Sequence, residues 1–128
     1  MLKYVPAMLT IRPEQMRILN RAFEAAFREN VREYLQTYYA SRCQAMGPEG
    51  LDSFIEKGIA RAARYGIEIE ADIFDFIEIL FEYGLEFETQ PALSWAAEIL
   101  NDGASSGSAR VDRLLTWLEL FQDSQQAN

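Results

Sequence analysis

The spacing of apolar residues is the feature that most limits the folds open to this chain. From residue 13 to about residue 42 they recur every three or four positions, at Met16, Leu19, Phe23, Phe27, Val31, Leu35 and Tyr38. That interval matches the 3.6-residue turn of an α-helix and places these side chains on one face. Pro13 suits the first helical turn, where its missing N–H has no partner to lose. The pattern therefore predicts a long first helix.

Glycine and proline divide the remaining chain into four more predicted helices. The sequence GPEG at 47–50 interrupts the first helical pattern, and further apolar periodicity predicts helices at about 48–65, 71–83, 91–100 and 108–122. Gly66 and Gly84 suit the ends of two of these helices, because glycine adopts the backbone conformations that follow a helix. The alternation IEIE at 67–70 has no partner strand, so it is interpreted as an extended connector.

These elements predict an all-α, compact single-domain bundle of about five helices over residues 1–128. A chain of this length is sufficient for one domain with its own core. The ends at 1–9 and 123–128 are expected to be frayed, and NDGASSGS at 101–108 is expected to be a mobile loop. Gly58 and Ala62 are small and four residues apart, so another helix is expected to approach closely there.

The protein is expected to be cytoplasmic. Its uncharged apolar runs are all shorter than the ~20 residues of a membrane span, and its first residues lack the apolar segment of a secretory signal. A single cysteine, Cys43, excludes an intrachain disulfide and fits a reducing compartment. We therefore expect no membrane association.

Charge is distributed unevenly along the chain, whose net charge is −8. Residues 1–64 contain ten Lys and Arg against seven Asp and Glu, whereas residues 65–109 contain ten Asp and Glu and no basic residue. Such an acidic block repels phosphate backbones, so no nucleic-acid partner is expected on that surface.

The sequence contains no histidine, which removes most catalytic and metal-binding arrangements. Serine and cysteine nucleophile systems, HExxH metalloproteases and Glu-x-x-His di-iron bundles all depend on that side chain. One cysteine is also too few for an ordinary structural zinc site, and phosphate-binding glycine motifs are absent. We therefore predict no catalytic residues, no metal site and no cofactor, and we do not expect an enzyme.

Carboxylates line one face of the predicted third helix and continue beyond it. This acidic ribbon consists of Asp72, Asp75, Glu78, Glu82 and Glu86. One interpretation is a solvated helix face, because charged residues are normally exposed. The other is a docking surface for a protein partner, in which Ile79 and Phe87 are exposed apolar anchors among the acids. Both interpretations remain open from sequence alone.

The first helix carries a second candidate surface, an arginine strip. Its members are spaced by four, seven and four residues and so share one face: Arg17, Arg21, Arg28 and Arg32. The strip is interpreted as a solvated face with weak ion pairs along the helix, as a second docking surface, or as the intramolecular complement of the acidic ribbon.

Several motifs together resemble a known family. They are LTIRPEQM at 9–16, GIARAARYGI at 58–67, Glu70, Asp72 and Phe76, and PALSWAAEIL at 91–100 followed by Asp102. Over about residues 8–118 the chain resembles the small helical accessory proteins encoded beside type VI secretion effectors, spike proteins and effector-adaptor chaperones in Gram-negative bacteria. The resemblance implies a non-enzymatic, co-chaperone-like role in loading an effector onto the secretion spike.

Two functions are therefore carried forward. The first is a protein-binding accessory factor whose partner is an effector-adaptor chaperone or the effector itself. The alternative is an immunity protein that neutralises a cognate secreted toxin, since a small acidic protein also suits a basic toxin. A homo-oligomer is compatible with either function.

Overall fold

The chain folds into a helical bundle. A computed structural model describes the main chain of residues 13–127 and the side chains of residues 23–125. Over the described main chain the elements are five α-helices, without strands: α1 (Pro13–Tyr38), α2 (Ala40–Arg64), α3 (Glu70–Tyr83), α4 (Ser94–Leu100) and α5 (Gly107–Ala127). Two short 3₁₀ turns, Phe87–Thr89 and Pro91–Leu93, connect α3 to α4. The predicted all-α bundle is confirmed. None of the described helices is long and apolar enough to cross a membrane.

The junction between the first two helices differs from the prediction. Helix α1 ends at Tyr38 rather than near residue 42, and Tyr39 turns the chain with φ −135° and ψ 44°. Helix α2 begins at once at Ala40, whereas GPEG was expected to separate the helices. The predicted break is nevertheless present inside α2, because Gly47 has φ 78° and ψ 165° and is followed by Pro48. Thus α2 consists of a short helical segment and a long one joined by a kink.

The predicted connector before α3 is confirmed. Gly66 has φ +71° and follows the end of α2, and Ile69 is extended at φ −84° and ψ 133°. The third helix carries Glu70 and Asp72 in its first turn, where negative charge interacts favourably with the helix dipole. Gly84, at φ +110°, ends the helix as expected.

Helix α3 contributes to both hydrophobic clusters of the core. Its residues Phe76, Ile79 and Leu80 pack in the cluster formed with α4, α5 and the 3₁₀ turns. Its remaining buried residues, Ile77 and Phe81, pack in the cluster formed with α1 and α2. The α3 helix is therefore shared between the two clusters.

The close helix approach expected at Gly58 is confirmed. A Cβ atom added there would lie 3.0 Å from Cγ1 of Ile77 on α3, so the absence of a side chain allows the helices to pack closely. Ala62, one turn further along α2, is fully buried. These small residues bring α2 against α3 opposite the acidic ribbon.

A buried arginine ties the last helix to the ends of two others. Arg110 of α5 is 9% exposed, and its Nη1 donates hydrogen bonds to the carbonyl oxygens of Tyr65 (2.7 Å) and Leu100 (2.6 Å). Its Nε also lies 3.2 and 3.3 Å from the carbonyl oxygens of Ser105 and Ser106. Both Tyr65 and Leu100 are at helix C-termini, where free carbonyls favour a cation. Arg110 therefore fixes the start of α5 against the ends of α2 and α4.

The last helix is longer than predicted. Gly107 begins it close to the expected position, but α5 continues to Ala127, so the predicted end near residue 122 is wrong. The loop before it is closed by Asp102, which accepts hydrogen bonds from the Ala104 N–H (3.1 Å) and the Ser105 hydroxyl (3.0 Å). The predicted fraying of residues 1–9 lies outside the described part of the chain.

Candidate functional site: an acidic groove between α3 and α5

The acidic ribbon lies along the edge of α3 between α1 and α5, and Glu86 follows the end of the helix. Asp75 and Glu78 are half-buried, and Glu82 and Glu86 are exposed. Asp72 is also half-buried and accepts a hydrogen bond from the Ser108 hydroxyl at the start of α5. The ribbon is thus partly covered by neighbouring helices rather than being an open solvated face.

A groove of about 250 Å³ runs between α3 and α5, and we call it the acidic groove. Carboxylates from both helices line it: Asp75, Glu78, Glu82 and Glu119. Its apolar lining includes Ile79, Leu115 and Leu118. Leu115 is 38% exposed, so an apolar surface remains accessible beside the charges. The groove combines the two properties expected of a docking surface, apolar contact area and an excess of one charge.

Two tyrosines at the end of α1 hold the ribbon's central carboxylate. The hydroxyls of Tyr34 and Tyr39 donate to Oε2 of Glu78, at 2.9 and 2.7 Å. The Tyr39 oxygen is also 3.1 Å from Oε1 of Glu82. Burial, reinforced by the hydrogen bond to Glu78, raises the pKa of Tyr34 to about 12 and raises the pKa of Tyr39 as well. Both hydroxyls therefore remain donors at neutral pH and fix the position of Glu78.

The carboxylates of the groove are not neutralised within the described side chains. None of the ion pairs among those side chains involves the acidic ribbon or Glu119. Burial raises the pKa of the Asp75 carboxyl, and the charges of Glu78, Asp72 and Asp112 raise it further. The charged form of Asp75 is therefore less stable than that of an isolated aspartate. The groove holds like charges close together, with tyrosine hydroxyls rather than an ion-paired cation of the described side chains against them.

The two predicted apolar anchors are buried, so the prediction that they are exposed is wrong. Ile79 is 4% exposed because α5 packs over that edge of α3, and its side chain lies in the wall of the groove. Phe87 is fully buried, because the 3₁₀ turn after α3 folds its ring into the core near Phe76. Neither residue offers an anchor to a partner in this conformation. The accessible apolar residue of the site is Leu115, which the helix pattern of α3 alone could not reveal.

The same turn directs a further carboxylate inward. Glu88 is 6% exposed and forms an ion pair with Arg61 of α2, while the Tyr65 hydroxyl donates to it at 2.5 Å. The ribbon therefore ends at Glu86 and does not continue to Glu88. Glu88 instead joins the 3₁₀ turn to α2.

The two described members of the arginine strip do not pair with the acidic ribbon. Arg28 pairs with Glu56, and Arg32 pairs with Asp52 at 2.7 Å, so the described part of the strip binds α2. Glu29 on α1 also pairs with Arg32 at 2.5 Å. The side chains of Arg17 and Arg21 lie outside the described residues, so their predicted role stays a prediction.

A second, shallower groove of about 650 Å³ adjoins the acidic groove at the turn between α1 and α2. The two share the lining residues Glu82, Tyr83 and Gln122. Tyr38 and Arg42 line the second groove, and Tyr38 is 68% exposed. We call this second cavity the tyrosine groove. Together the two grooves form one continuous depression beside α3.

Sequence reasoning missed these neighbours of the ribbon because they are distant in the chain. Leu115 and Glu119 are four residues apart on α5, so they share one helix face. That spacing was the only sequence signal that the two residues belong to one surface. Their position opposite Asp75 and Glu82 depends on how α5 packs, which local periodicity does not specify. The described side chains contain no group of three or more potential metal ligands.

Comparison with known proteins adds no relative: family models, curated proteins and solved structures give no match.

Proposed function

We propose that this chain is a non-enzymatic protein-binding accessory factor whose acidic groove receives a basic segment of a protein partner. The observation that supports the proposal is a groove lined by four carboxylates, beside an accessible leucine, with no cation of the described side chains paired to them. Lysine or arginine side chains of a partner would neutralise charges that now repel one another, while their aliphatic stems would cover Leu115.

Charge of this kind acts mainly on the rate of association. A surface of one sign attracts an oppositely charged partner before contact, and the effect decreases as salt screens it. Residues 65–109 contain no basic residue that would weaken this field. Hydroxyl groups hold Glu78 in place, so little ordering of that side chain is required on binding. Fast and salt-sensitive capture of a basic partner is therefore the behaviour that we infer.

The biological setting follows from the resemblance to type VI secretion accessory proteins. In that setting the chain acts in the bacterial cytoplasm, and its partner is an effector-adaptor chaperone or the effector that the chaperone delivers. The setting is supported by the sequence motifs at 9–16, 58–67 and 91–100.

Charge reversal in the groove tests the binding role. The variant Glu82→Lys/Glu119→Lys alters two exposed carboxylates of the groove. The matched control Glu49→Lys/Glu98→Lys makes the same change in net charge at exposed positions outside both grooves. We expect the groove variant to slow capture of the adaptor chaperone or effector from the same gene cluster by about tenfold or more at low salt. Equal association rates for the two double variants would contradict the proposal.

The same binding experiment separates the accessory role from immunity. Binding to the adaptor chaperone, without protection of cells that express the toxin, supports the accessory role. Tight binding to the toxin together with rescue of growth would instead identify an immunity protein and overturn the accessory role.

A further inference from the structure

The two adjoining grooves have different chemistry, and the difference limits what can occupy them together. Carboxylates dominate the acidic groove, whereas the tyrosine groove presents Tyr38 and Arg42. Tyr38 is the most exposed large apolar side chain among those described, at 68%, and its ring centre lies 4.7 Å from that of Tyr34. A ligand that is basic throughout would therefore satisfy one groove and not the other.

Arg42 makes the tyrosine groove unfavourable for a second cationic side chain. Its guanidinium donates to the carbonyl oxygen of Phe81 and lies 5.5 Å from the centre of the Phe81 ring. It forms no ion pair with a carboxylate of the described side chains. A planar guanidinium that already covers one ring attracts a second aromatic ring to its other face. Arg42 and Tyr38 together therefore favour an aromatic side chain.

Building on the proposed function, we propose that the bound segment is a short basic–aromatic segment of the partner. Its lysine or arginine side chains occupy the acidic groove, and an aromatic side chain about three to four residues away packs on Tyr38 beside Arg42. The spacing follows from the site. Glu82 lines both grooves, so the distance from Asp75 to Glu82 is that from the far end of the acidic groove to the tyrosine groove. The two residues are seven apart on α3, which is about 10 Å at 1.5 Å per residue. An extended segment covers that distance in about three residues at ~3.3 Å each.

Synthetic peptides test the inference with the intact protein. The first peptide carries a cluster of lysines and, four residues beyond it, a tryptophan. A second replaces the tryptophan by alanine, and a third places the tryptophan inside the lysine cluster. We expect the first peptide to bind about three- to tenfold more tightly than either of the others, as an aromatic contact of ordinary strength would give.

A double-mutant cycle locates the aromatic contact. Tyr38→Ala is expected to weaken binding of the first peptide by about three- to tenfold and to leave binding of the alanine peptide unchanged. Phe23→Ala is the matched control, since Phe23 is 58% exposed on the same helix but lines neither groove. Thermal unfolding of each variant verifies that it is folded.

The outcomes separate the inference from the function on which it rests. Suppose that all three peptides bind equally and that charge reversal at Glu82 and Glu119 weakens the binding of each. The proposal of a basic partner is then supported, and the aromatic contact is refuted. If the peptides bind and Tyr38→Ala has no selective effect, the placement of the aromatic side chain is refuted. If charge reversal affects neither the peptides nor the natural partner, both proposals fail.

Discussion

Replacing Arg110 by methionine should destabilise the protein far more than the same change three residues along α5. Arg110 is 9% exposed, and its two shortest hydrogen bonds, at 2.6 and 2.7 Å, satisfy carbonyls at the C-termini of α4 and α2. A hydrogen bond to a charged group contributes about 1.5–3 kcal/mol, and a buried acceptor that loses its donor incurs a desolvation penalty. Methionine preserves most of the apolar stem but donates nothing. The expected loss is about 3–5 kcal/mol in the free energy of unfolding.

Arg113→Met provides the matched control. Arg113 is paired with Asp102 at 3.1 Å, but the two side chains are 42% and 34% exposed. Ion pairs of this exposure contribute about 0–1 kcal/mol. The two substitutions remove the same chemical group from the same helix, so their difference isolates the effect of burial and of the helix-end carbonyls.

Urea denaturation followed by circular dichroism measures both free energies of unfolding. For a chain of this length the unfolding entropy is about 0.27 kcal/mol/K, so Arg110→Met should also lower Tm by about 10–20 °C. Arg110→Lys retains the charge but not the planar donor group, so its free energy of unfolding should lie between those of wild type and Arg110→Met. A loss of under about 1 kcal/mol for Arg110→Met, equal to that of Arg113→Met, would refute the role assigned to Arg110.

Two further predictions concern a helix start and the acidic groove. A Cβ atom at Gly107 would lie 2.8 Å from the main-chain oxygen of Gly66. Gly107→Ala should therefore lower the free energy of unfolding, measured by urea denaturation, by about 1–3 kcal/mol. Gly103→Ala should have little effect, because a Cβ atom at Gly103 would meet no atom within 4 Å. Asp75→Asn should raise Tm at pH 7, because burial and neighbouring carboxylates raise the pKa of this carboxyl and disfavour its charged form. A raised folded-state pKa makes the wild type bind protons more tightly than its unfolded chain does, so the variant's advantage should disappear as the pH falls through that pKa. An advantage that grows on acidification would contradict this assignment.

Much of the fold could be predicted because local chemistry determines it. Gly47, Gly66 and Gly84 all adopt positive φ and interrupt or end helices where the sequence indicated. The restart of the helix at Ala40 was missed, because nothing in the local sequence distinguishes a one-residue kink at Tyr39 from a continuous helix. A kink of this kind depends on tertiary packing around the turn rather than on helix propensity.

The candidate site was predicted only in part, for a related reason. Helical periodicity correctly grouped the acids of α3 on one edge, but it assigned Ile79 to the solvent. The buried positions of α3 extend over about 200° of its circumference at 100° per residue, since three other helices pack around it. A helix with that many neighbours buries residues at the margins of its apolar face. The opposing residues Leu115 and Glu119 come from α5, and their register against α3 is a property of the whole bundle.

The membership of α3 in both hydrophobic clusters has a consequence for how the protein opens. Separating α1 and α2 from the bundle would expose Ile77 and Phe81, and separating α4 and α5 would expose Phe76 and Leu80. Partial unfolding on either side therefore leaves α3 packed in the other cluster, so the amide hydrogens of α3 should exchange with solvent mainly through global unfolding. We therefore expect Asp75, Glu78 and Glu82, which we assign to partner capture, to stand on a helix whose amide hydrogens exchange slowly.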